Sequence, residues 1–164
     1  MVVAYYVRVL ADVRHARVSL ITDSLARLER QRAWMRVARI SWTLGVVLLI
    51  THLVLAFALI HDWSQAAAIR HTELQTQNVV GLRVGFGVCV NYAFTRFWTV
   101  DVLLWWTQGA SWAYRSRWRY WVIQFVFAFI MINATVVFGP WWWKPVSLAA
   151  IMGLGLARRL ALPR

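Results

Sequence analysis

Among the polar side chains inside largely apolar stretches, which also hold Arg96, Asp101 and Gln124, four are candidates for chemistry: His52, Arg83, Asn91 and Asn133. If those stretches cross a bilayer, each group is costly to bury and is a functional candidate by default. An imidazole passes protons near neutral pH. A guanidinium grips a phosphate or carboxylate through paired N–H donors. Counting about 1.5 Å per residue from the basic edge of each stretch puts His52 roughly 18 Å, Asn133 roughly 20 Å, Arg83 roughly 24 Å and Asn91 roughly 12 Å across the layer. His52, Arg83 and Asn133 are therefore expected at similar depth, as a ligand site or a proton relay. The competing reading has the same groups joining helices through hydrogen bonds worth about 0.6–2 kcal/mol each.

Other chemistries fit the sequence less well. Asp101 is the one carboxylate near an apolar stretch. Arg96 lies five residues earlier, about 140° away around a helix, so pairing with Arg39, Arg115 or Arg119 across the basic edge is expected instead. His52 and His61 are nine residues apart and point to opposite helix faces, which excludes a bis-His haem on one helix. A single axial bond from His52 to a pigment or haem stays open, and no other cofactor is indicated. His61 and His71, with Asp62 and Glu73, flank a polar loop as a weak metal candidate. The lone Cys89 allows no internal disulfide, CxxC pair or thiolate metal cage, and is read as a small packing residue. No phosphate loop, hydrolase elbow or zinc-protease motif occurs, so no residue is assigned a catalytic role. Gly81 and Gly85, four apart in GLRVGFG, are read as a helix-packing seam, as are Ala149, Gly153 and Ala157.

The elements that carry these residues follow from composition. The chain has 164 residues, 18 Lys+Arg against 6 Asp+Glu, a net charge of +12 and 12 Trp. It is 61% hydrophobic and only 15% charged, where soluble domains carry about 25% charged residues. Mean hydropathy is +0.55. These values exclude a soluble, disordered or disulfide-scaffold protein. A transmembrane helix needs about 20 mostly apolar residues, and the stretches at about 40–60, 79–106, 120–138 and 146–162 qualify. The expected fold is all-α: an integral membrane four-helix bundle behind an N-terminal segment, 1–39, of basic, amphipathic, cytoplasmic helices. Arg8 breaks the apolar start of that segment, so a signal peptide is not expected there. Thr22, Asp23 and Ser24 offer caps for a second helix, and a short helix is expected around 66–74.

Charge gives the orientation. Fourteen of the 18 basic residues precede residue 40, lie between the second and third stretches, or follow residue 157. The positive-inside rule then places the chain in the cytoplasmic (inner) membrane as a multi-pass protein with both termini cytoplasmic. Trp105 and Trp106 on the inner side, and Trp141, Trp142 and Trp143 on the outer, read as headgroup-level anchors. The triple Trp also offers a stacking platform for a quinone, pigment or sugar. Because the arginines sort by membrane side, nucleic acid is not an expected partner. Anionic lipid headgroups are, together with other membrane subunits or further copies of the chain. The function expected is a non-catalytic structural or accessory subunit of a membrane complex. The alternative is a small transporter or lipid-binding protein built on His52, Arg83 and Asn133. With four spans, a transporter needs a homo-oligomer. An enzyme is the reading with least in its favour.

Overall fold

The apolar run at 40–60 and the basic stretch before it fold as one rod. The computed structural model describes residues 2–18, 24–109, 112 and 116–159, without the side chains of residues 16, 17, 24 and 154–159. Among these residues the structure is helical, with no strand. Helix α1 is Val2–Val18. Helix α2 is Ser24–Leu59, 36 residues and so about 54 Å long. It begins at the expected Ser24, whereas Thr22 and Asp23 lie outside the described residues.

Helix α3, Gln65–Val80, extends well beyond the short helix expected over 66–74. The Ser64 hydroxyl caps it, accepting from the Ala67 N–H at 3.2 Å. It ends where Gly81 takes a left-handed conformation (φ 77°) that side chains other than glycine resist. Helix α4 then starts at Gly87 and runs to Gln108. The continuous helix expected over 79–106 is therefore broken at its start. Three glycines in seven residues each cost a helix about 1 kcal/mol relative to Ala, and the segment instead lies against α3. A Cβ at Gly85 would sit 2.6 Å from Ile69 Cγ2 and 3.0 Å from Glu73 Cγ.

Helix α5 is Arg117–Ile132, with Ser116 as its cap. It widens into a π-helical turn over Asn133–Val137, closed by Phe138 N–H to Asn133 C=O at 2.9 Å. Helix α6, Trp143–Arg159, carries Pro145 in its first turn, where a missing N–H is tolerated. Residues 160–162 of the expected fourth stretch lie outside the described residues.

Helix α1 lies back along α2, with Ala4 beside Gly45 and Arg8 beside Trp42. Its buried positions Tyr5, Arg8, Val9 and Asp12 recur at helical spacing, forming one face. The core they enter is aromatic. Trp42, Trp98 and Phe127 are 0% exposed, with ring centroids 4.2 Å (Trp42–Phe127), 4.6 Å (Trp98–Phe127) and 4.9 Å (Trp42–Trp98) apart. Gly45 makes room for it, since a Cβ there would lie 2.5 Å from Trp98 Cζ2. The face of this amphipathic segment that carries Tyr5, Val9 and Asp12 forms a wall of the core, while Val3, Val7 and Leu10 stay exposed.

Candidate functional site

Buried charge gathers where α1, α2 and α4 meet. Arg8 and Asp12, one turn apart on α1, form a salt bridge of 2.9 Å, with side chains 4% and 5% exposed. The Arg8 guanidinium is sandwiched between two indoles, 4.6 Å above Trp42 and 4.2 Å above Trp105. Cation–π contact is strongest when desolvated, about 2 kcal/mol or more. Its Nη1 is buried without a hydrogen-bond partner among the described residues. The Tyr120 hydroxyl on α5 reaches Asp12 Oδ2 at 3.4 Å.

Asp101 on α4 completes the centre. Its two oxygens accept the indole N–H of Trp42 at 2.8 Å and of Trp112 at 2.9 Å. The expected arginine pairing is therefore corrected. Arg119 lies over the Trp112 ring at 4.4 Å and donates to the Trp112 carbonyl at 3.1 Å, one layer behind the carboxylate. Arg39 stacks on Trp106 at 4.0 Å. Arg115 lies outside the described residues. Two neutral donors satisfy a buried carboxylate without the desolvation cost of a second ion. Tyr5 extends the network to α5, donating to Gln124 Oε1 at 3.2 Å. Chemically this arrangement clamps helices: the carboxylates accept and the cation is capped on both faces.

His15 sits at the far end of α1. Burial pushes its pKa below the ordinary histidine value, and the nearby Asp12 carboxylate partly opposes that.

The residues expected to carry chemistry are placed elsewhere. His52 and Asn91 are exposed on α2 and α4, and Arg83 is exposed in the link before α4. Asn133 opens the π-helical turn and donates its amide to the Phe129 carbonyl at 2.8 Å. No hydrogen bond or ion pair among the described residues joins these four side chains. Gly81 serves as a helix cap with open space around it, not as a packing position. Ala149 and Gly153 are exposed on α6, and no atom lies within 4 Å of a Cβ built at Gly153. The Ala157 side chain lies outside the described ones.

Trp105 is 2% exposed, a core residue rather than a headgroup anchor. Trp106 is half exposed and donates to Thr43 Oγ1 at 2.9 Å. Trp141 is open to the surroundings, and Trp142 and Trp143 stack at 4.9 Å. Cys89 is free and exposed rather than packed. His61 and His71 do meet edge-on, with centroids 5.3 Å apart, but no group of three or more metal-ligating residues forms among the described residues. Sequence reasoning missed Arg8 as a site residue. Its placement between Val7 and Val9, in an otherwise apolar decapeptide, was the available signal.

The fold and its polar centre define the class: an all-helical chain in which two described helices, Leu25–Leu59 and Arg117–Val137, are long and apolar enough to cross a membrane. No protein family, curated protein or solved structure matches the chain.

Proposed function

We propose that the protein is an integral membrane protein that crosses the cytoplasmic membrane four times, through α2, α4, α5 and α6, with both termini cytoplasmic. It serves as a non-catalytic structural or accessory subunit of a membrane complex. One observation carries the reading: in each of the two long apolar helices, Leu25–Leu59 and Arg117–Val137, only 22% of the apolar segment is buried within the chain. The core helix of a soluble protein would be mostly covered. Apolar helices this open need lipid or partner helices around them.

Polar and small groups on the outward faces favour partner helices over lipid alone. His52 and Asn91 face outward from helices α2 and α4, and a polar group in hydrocarbon is satisfied best by a neighbouring chain. Gly153, with nothing near it, permits close backbone approach. The charge asymmetry supports the orientation. Helix α4 has 22 residues, about 33 Å, and α6 has 17, about 26 Å. Both lengths are compatible with a hydrocarbon layer of about 30 Å if the arginines ending α6 reach to the headgroups.

A second reading, lipid binding, is favoured by a separate observation. A cleft of about 470 Å³ opens between α1, α5 and α6, lined by Tyr5, Tyr6, Gln124, Phe125, Met131 and Ile151. Its apolar wall suits an acyl chain, and it does not involve His52 or Arg83. The two readings separate on gentle extraction followed by native mass spectrometry. A subunit retains a stoichiometric partner chain, and Gly153→Leu releases it. A lipid-binding protein retains lipid without a partner, and Ala128→Trp, at a residue of α5 that lines the cleft, expels it.

A further inference from the structure

Three arginines of α2 converge on a groove that the polar centre does not use. Arg32, Arg36 and Arg39 lie at i, i+4 and i+7, on one face of the helix. With Met35 and the buried Trp105 they enclose about 420 Å³. Among the described residues, no carboxylate lies within ion-pair distance of any of the three. The Arg8–Asp12 ion pair lies within α1, away from these three side chains. Arg39 is held over the Trp106 ring at 4.0 Å, and Trp106 is itself fixed by its bond to Thr43. Stacking uses the face of a guanidinium and leaves its N–H edge free to donate. The groove lies where the basic half of α2 gives way to the apolar run beginning at Ile40.

We infer that this groove is a binding site for a phosphate group. Three guanidiniums without carboxylate partners provide forked donors matched to phosphate oxygens. One is already oriented, which lowers the ordering cost of binding. The buried Trp105 also lines the groove. The phosphate comes from a lipid headgroup of the inner leaflet or from a free phosphate. The lipid source rests on the membrane reading above; the free source does not.

The test uses the full chain, delipidated in mild detergent, and native mass spectrometry. It is titrated separately with short-chain phosphatidylglycerol, short-chain phosphatidylcholine and inorganic phosphate. The paired variant Arg32→Gln/Arg36→Gln is compared with Arg14→Gln/Arg30→Gln, which removes the same charge from exposed positions elsewhere. The expected result is saturable binding of phosphatidylglycerol or of inorganic phosphate. It weakens about tenfold or more in the groove variant, the loss of bonds to a charged acceptor, and stays within about threefold in the control variant. Binding of the lipid alone assigns a headgroup, and binding of inorganic phosphate alone assigns a free phosphate. Either supports the site, and the second does so even if the membrane reading fails. Equal weakening in both variants, weakening in neither, or no saturable binding of either anion overturns it.

Discussion

The indole N–H of Trp42 donates to Asp101 across 2.8 Å and 59 residues of sequence. A second indole, Trp112, takes the other carboxylate oxygen at 2.9 Å. Trp42 also carries the Arg8 guanidinium on its ring. One tryptophan thus joins α1, α2 and α4, donating in its plane and receiving a cation on its face. Asp101 and Arg8 are both held by tryptophan rings.

Asp101→Ala is expected to destabilise the fold by about 3 kcal/mol, the worth of two hydrogen bonds to a charged acceptor. Asp101→Asn keeps one acceptor and costs less. Thermal unfolding in mild detergent, followed by tryptophan fluorescence, gives the order. Equal melting temperatures for the three proteins would mean that the carboxylate holds nothing together.

Arg8→Leu leaves the buried Asp12 carboxylate without its guanidinium, a loss of about 3–5 kcal/mol for a broken buried pair. The effect is expected to be local. Hydrogen exchange of α1 amides should accelerate while α3, whose main packing partner is α4, keeps its protection. Arg8→Lys restores charge but not the planar stack, and is expected to rescue only part of the protection.

Much of this fold is legible in the sequence, and the reasons are local. The long apolar runs around Val46 and Phe127, the helix start at Ser24 and the turn at Gly139–Pro140 all announce helices and their ends. The centre is not legible, because each of its contacts is made by tertiary packing. Nothing near Arg8 indicates that Trp42 and Trp105, 34 and 97 residues away, will cover its two faces. Depth counting assumed an unbroken helix through Gly81–Gly87, and the left-handed Gly81 removes that premise, taking Arg83 out of any helix. His52 shows the other limit: its position along α2 was readable, but its outward direction depends on where α1 docks.

Gly45→Ala is expected to cost about 1–3 kcal/mol by driving a methyl into the fully buried Trp98 ring. Gly153→Ala meets no atom of the described residues and, lying inside α6, should hold or raise the melting temperature of the isolated protein, by up to about 1 kcal/mol of helix propensity. Chemical denaturation of the two variants side by side checks the contrast.

The docking of α1 should weaken in acid. The folded pKa of His15 is lowered, so the folded chain binds fewer protons than the unfolded one as pH falls. Its contribution is full above the ordinary histidine value of about 6.5 and is lost as pH falls from there through the lowered native value. Exchange of α1 amides between pH 7.5 and 5 measures this, and His15→Asn should flatten the dependence.

The central claim is that this open-faced helical chain works inside a membrane assembly. The direct measurement is native mass spectrometry of the tagged protein gently extracted from its own membrane, alongside Gly153→Leu and His52→Leu. The account predicts a fixed stoichiometry with another membrane chain or further copies of this one, lost in the variants while the chain itself stays folded. A folded monomer with no bound chain, identical in wild type and variants, would contradict it.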